Sequence, residues 1–156
     1  MAWPQRMKHK LKRACSLSAK EWAMLAEAWL TLTWIDFVVS FLPYRGWKSW
    51  LVNQPEADTN QTAPFEQLVW SVNAAANHHL RKPTCLRRSL ALKQMLKHRR
   101  ISATLCIGIK KNQRAVDAHA WVECYGIPIN DVPDIATHYS QFPILTKELL
   151  HSINTQ

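Results

Sequence analysis

Three residues spread over the second half of the chain could together cut or transfer an acyl group: Cys85, His119 and Asp131. A cysteine attacks as its thiolate, and a neighbouring imidazole can hold the proton and later give it to a leaving amine. A carboxylate behind the ring fixes its tautomer and steadies its positive form. Taken singly, each residue has a plainer explanation. A helix cysteine commonly fills a core, a strand histidine is commonly a satisfied polar group, and an aspartate before Val-Pro commonly makes a turn. The combination carries more weight, because a cysteine opening a helix is followed by a histidine and an aspartate on one hairpin.

Local signals place all three. In "KPTCLRRSLALKQMLKH", Pro83 disfavours helix for Lys82 and Thr84 is a good N-cap, so the helix is expected to start at Cys85. Cys85, Ser89, Leu92 and Leu96 then share an inward face. A thiol in a first turn meets unpaired N–H groups and the positive end of the helix dipole. Arg81, Lys82, Arg87 and Arg88 are expected to add positive field, and the Cys85 N–H is a natural oxyanion donor. "ISATLCIGI" reads as a strand, and "HAWVECYGIPIND" as a hairpin. A three-residue loop of Cys124, Tyr125 and Gly126 would pair Glu123 with Ile127, Trp121 with Ile129 and His119 with Asp131. A slip of one residue would send the last two to opposite faces. Trp121 and Thr84, close in sequence to His119 and Cys85, are the candidate substrate contacts.

The rest of the chain must support this site. With 156 residues, 47% apolar and 20% charged, it can build one compact domain with a core. Three stretches are distinguished: a basic arm (1–14) and apolar helical region through residue 54, a polar loop over 55–63, and a site-bearing region over 64–156. Ser16 or Ser18 could cap a long helix ending near Pro43, apolar around most of its circumference but interrupted by Glu21, Glu27 and Asp36. Those acids disfavour a bilayer crossing, so the helix is expected to pack on the protein or lie on a membrane. "RGWKSWLV" reads as a second short helix, "FEQLVWSVNAAANHHL" as a longer one, and Thr146–Ser152 as a third. The net charge of +9 favours an acidic partner, yet no basic helix with interleaved aromatics points to nucleic acid. Four cysteines without a CxxC pair, and a basic start without a cleavage site, suit a reducing cytoplasm. No His or Cys pair has zinc-ligand spacing, so no metal is expected, and His78 and His79 read as surface residues.

"CLRRSLAL", "LCIGIKK", "HAWVE" and the following "ND" together resemble the transglutaminase-like B proteins of lasso-peptide biosynthesis, over roughly residues 65–142. The resemblance implies an α+β, papain/transglutaminase-like cysteine protease fold, with an N-terminal helical region packed on an antiparallel sheet. It implies that Cys85, His119 and Asp131 are the catalytic residues, that no cofactor is needed, and that the substrate is a ribosomal precursor whose leader is removed before macrocyclisation. Residues 1–60 lack the alternating pattern of the PqqD-like domain found in some relatives, which implies a separate PqqD-like leader-recognition protein. An asparagine-synthetase-like lasso cyclase is the implied next partner. Many relatives carry Gly after the basic run closing the Cys helix; here "HRRIS" must use another C-cap residue. The competing expectations are a non-enzymatic, Trp-rich binding scaffold and a transglutaminase-type acyl transferase.

Overall fold

A computed structural model of the chain describes residues 17–43, 45–46, 65–112 and 115–142. The basic arm, the loop over 55–63, the terminal helix over 146–152 and nearly all of the short helix at "RGWKSWLV" lie outside the described residues. Helix α1 (Ala19–Phe41) begins at Ser18, whose hydroxyl accepts the Glu21 N–H while the Glu21 carboxylate reaches back to the Ser18 N–H at 2.7 Å. This reciprocal box settles the start; Pro43 lies just past the end. Met24, Ala28, Leu32, Ile35 and Val38 recur every three or four residues and form the buried stripe. Each fully buried large side chain there contributes about 1.5–3 kcal/mol.

Helices α2 (Phe65–Asn77) and α3 (Cys85–His98) receive that stripe, and α3 in turn packs on the sheet. The acids within α1 are the reason it can do so. Glu27 takes a two-pronged bond from the Arg99 guanidinium, at 2.9 and 2.7 Å, and Asp36 pairs with Arg87 at 2.6 Å. The Arg99 bonds hold the Glu27 carboxyl below the usual carboxylate range. A depressed carboxyl pKa stabilises the fold above the unfolded value of 4.5, and the gain is lost as pH falls through the lower folded value. Glu27→Gln should therefore cost about 1 kcal/mol at pH 7, since solvent still reaches and partly screens this pair. The difference from wild type should close in urea titrations run progressively below pH 4.5.

Helix α3 ends as its sequence requires. Arg100 takes the left-handed conformation (φ 57°), Ile101 N–H bonds Leu96 C=O and Arg100 N–H bonds Lys97 C=O. This is a Schellman closure with arginine in place of the usual glycine. The sheet is antiparallel in the order β3-β2-β1-β4, built from β1 (Thr104–Asn112), β2 (Ala115–Cys124), β3 (Ile127–Pro128) and β4 (Ser140–Phe142). A short helix, α4 (Ile135–His138), precedes β4. The paired Leu105 and Val122 face the helical core, while Cys106 and Trp121 pair on the opposite face under Ile135 and Tyr139.

The hairpin register differs from the one expected. Cys124 pairs with Ile127 and Glu123 with Pro128, so the loop is Tyr125-Gly126, both at positive φ (54° and 76°). Two left-handed residues make the tight hairpin turn whose twist suits the strands. Pro128 then falls at a pair that exchanges no ladder bonds, where its missing N–H costs nothing.

Candidate functional site

Thr84 caps α3 by accepting the Arg87 N–H, and Cys85 follows as the first helical residue, half-buried and with its thiol free. The thiol thus occupies the turn whose amide hydrogens lack intrahelical partners. It shares a cavity of about 190 Å³ with His119, Asp131, Asn130, Arg88 and Asn73, closed on the apolar side by Val69, Val72 and Leu92. His119 Nε2 lies 2.6 Å from Asp131 Oδ2. That contact leaves Nδ1 as the ring nitrogen free for another partner. The second Asp131 oxygen accepts the Val132 N–H at 2.9 Å, so the carboxylate is held at both ends.

In the observed register Asp131 could not face His119 across a regular ladder. The chain solves this by leaving the sheet. After Ile129 donates to Val122 C=O, the Val122 N–H is taken by the side-chain oxygen of Asn130 at 2.8 Å rather than by a backbone carbonyl. The main chain is thereby released to bend, and Asp131 swings to the imidazole. Asn130 Nδ2 donates to Ser89 Oγ at 3.1 Å, and Ser89, fully buried one turn after Cys85, donates to Ala120 C=O at 3.0 Å. One polar network therefore ties the cysteine helix, the histidine strand and the aspartate segment together. Sequence reasoning assigned no part in the site to Asn130. The sequence offers only its place in the "ND" pair; the β2 amide that it serves comes with the two-residue turn.

The other face of His119 rests on aromatics. Its ring stacks with Trp121 (centroids 6.3 Å apart) and lies 5.4 Å from Tyr139. Trp121 is fully buried and donates its indole N–H to Glu123 at 2.7 Å, so the structure places it beneath the imidazole rather than on the cavity wall. Thr84 is likewise exposed and engaged as the cap, outside the cavity lining. Tyr139 donates to Asp117 at 2.9 Å. Its phenol is pushed up, first by that bond, then by its slight burial and the charges of Asp117, Asp131 and Cys85. Gly108, opposite His119 on β1, makes room for this stack: a Cβ there would lie 2.6 Å from Tyr139 Cβ and 3.0 Å from the Trp121 ring. Gly108→Ala should destabilise the protein by about 1–3 kcal/mol. A thermal or urea midpoint unchanged from wild type would contradict this packing.

The positive field is narrower than expected. Arg87 is turned to α1, where it binds Asp36 and Ser40, whereas Arg88 lines the cavity with its Nε buried and no hydrogen-bond partner among the described residues. His79 is not a plain surface residue either. It packs on the Trp29 ring and sits 3.2 Å from Thr33 Oγ1. Cys106 and Cys124 are buried, and burial pushes their thiols up to about 12 and about 11. Among the described residues, no three His, Cys, Asp or Glu side chains come together as metal ligands.

A helix-terminal thiol and a carboxylate-held imidazole on one cavity are the parts of acyl chemistry by a cysteine. No curated protein and no solved structure matches the chain. A family model described as the transglutaminase-like superfamily matches residues 28–143, taking in α1 from Ala28 onward, the cysteine helix and the whole sheet. The chain belongs to the transglutaminase-like superfamily, whose members typically work as cysteine-protease-like or acyl-transferring enzymes.

Proposed function

We propose that the protein is a cysteine endopeptidase that removes the leader from a ribosomally made lasso-peptide precursor. The observation that carries the catalytic part is the 2.6 Å contact of His119 with Asp131 on the cavity that also holds Cys85. The lasso assignment rests on the run of motifs from "CLRRSLAL" to "HAWVE" and "ND". In this reading the Cys85 thiolate attacks the scissile carbonyl, and the oxygen that gains charge is met by the Cys85 N–H. Arg88, on the same wall, adds positive charge beside the substrate. His119 gives its proton to the departing amine as the C–N bond breaks, leaving the leader on sulfur as a thioester. Water that loses a proton to His119 then cleaves the thioester, releasing the leader acid and restoring the thiol. The freed core amine is what a cyclase would join to a side-chain carboxyl. The partners are a separate PqqD-like leader-binding protein and an asparagine-synthetase-like cyclase, and the setting is cytoplasmic.

The test is incubation of the purified chain with a lasso precursor carrying threonine at the penultimate leader position, together with its leader-binding protein. Mass spectrometry should find a free leader acid and a core peptide with a new N-terminal amine. An uncut precursor would point to a binding scaffold, and a leader joined by an amide to an added amine would point to acyl transfer; either outcome overturns the peptidase reading.

A further inference from the structure

Among the described residues, the outward face of α1 meets little beyond His79 on Trp29 and Arg87 on Ser40. From Trp22 onward its exposed residues are Trp22, Ala23, Ala26, Trp29, Leu30, Trp34, Phe37, Ser40 and Phe41, with no charge among them. Trp34 and Phe37 are about half exposed (56% and 49%) and Phe41 more so (73%). Their rings follow one another along the helix, Trp34 stacked on Phe37 at 6.1 Å and Phe37 tilted against Phe41 at 5.0 Å. A strip of this length exceeds the isolated apolar residues that ordinary surfaces show. By length and composition the helix could cross a bilayer, its most apolar 18-residue window having a mean hydropathy of 1.4. Yet its opposite face carries core residues, and its two mid-helix acids are ion-paired to Arg99 and Arg87. A crossing would have to tear these away. One face is committed to the protein and the other, among the described residues, is left largely bare.

The sequence on either side says what the bare face fits. Before Glu21 there is no acidic residue, while Arg6, Lys8, Lys10, Lys12, Arg13 and Lys20 are present. Between Asp36 and Glu56 there is again no acid, and Arg45 and Lys48 fall in the interval. An apolar, tryptophan-rich strip flanked at both ends by cations matches the layers of an anionic membrane surface: rings at the boundary of headgroups and acyl chains, ammonium and guanidinium groups on the lipid phosphates. A second copy of this chain is a poorer occupant, because the same cationic flanks would meet each other on a protein of net charge +9. We infer that α1 lies in the plane of an anionic lipid surface and holds the catalytic region there as a peripheral membrane protein. The inference is independent of which peptide the site cuts.

Flotation of the full chain with vesicles tests it. Vesicles of phosphatidylcholine with phosphatidylglycerol should carry the protein at least about tenfold better than phosphatidylcholine alone, and about 0.5 M NaCl should release it. The double variant Trp34→Glu, Phe37→Glu, on positions already half exposed, should lose at least about tenfold in bound fraction while its circular dichroism is unchanged. Should that variant misfold, Lys8→Glu, Lys10→Glu, Lys12→Glu must show the same loss without touching the helix. Failure to float, equal binding to both vesicles, or binding that resists salt as an inserted span would each overturn the inference. So would a wild-type dimer in size exclusion that Phe37→Glu dissolves, since the face would then belong to a second copy.

Discussion

Cys85→Ala is expected to remove precursor cleavage down to the background rate, a loss on the order of 10⁴-fold or more in kcat/KM. The fold should survive, because the position is half-buried at the first turn of α3 and alanine is the better helix former there. The substitution takes away the one sulfur that, among the described residues, lines the cavity and could form the thioester; the imidazole and its carboxylate stay where they are. Neither Cys106 nor Cys124 can take over: both are buried, their thiols are raised to about 12 and 11, and neither lines the cavity. The measurement is product formation by mass spectrometry over a time course, with urea unfolding run in parallel. Cleavage within tenfold of wild type by a pure, folded variant would place the nucleophile elsewhere and sink the mechanism.

The parts of the fold carried by local chemistry are legible in the sequence alone. Thr84 after Pro83 writes its own helix start, because a cap is settled within three residues, whereas Ser16 and Ser18 are both open as the first cap until the Glu21 box selects Ser18. The apolar spacing from Phe65 to Ala76 and the alternation after Ile101 likewise need only their own neighbours. What could not be read depended on distant partners. Glu27 and Asp36 looked like interruptions of an apolar helix; they are the α1 ends of bonds to Arg99 and Arg87, many residues away. Arg87 accordingly leaves the thiol's surroundings, and Arg88 alone of that pair faces the cavity. The hairpin is the sharpest case. Glycine in the left-handed position suggested a three-residue loop, but Tyr125 also adopts positive φ, which an aromatic rarely does and no propensity announces. In that shorter turn a regular ladder would part His119 from Asp131. They meet because Asn130 replaces a backbone acceptor with its side chain and lets the chain bend.

That bend gives Asp131 its leverage, and Asp131→Ala should lower kcat on the order of 10²–10⁴-fold with KM changed less than about threefold. The carboxylate touches no substrate in this reading; it acts through the ring. Its Oδ2 fixes Nε2 at 2.6 Å, and its Oδ1 is in turn fixed by the Val132 N–H. Without it the imidazole keeps its packing on Tyr139 and Trp121 but loses the partner that sets its tautomer and balances its positive form. Asp131→Asn separates the two contributions. An amide oxygen can still accept from Nε2–H and orient the ring, but it brings no charge, so its kcat should fall between those of alanine and wild type. The pair is mostly buried, so stability should fall by about 1–3 kcal/mol, and urea unfolding run in parallel separates that from the loss in kcat of the folded variant. If the alanine variant retains kcat within threefold, the carboxylate is only a turn former and His119 must be oriented by its aromatic bed alone.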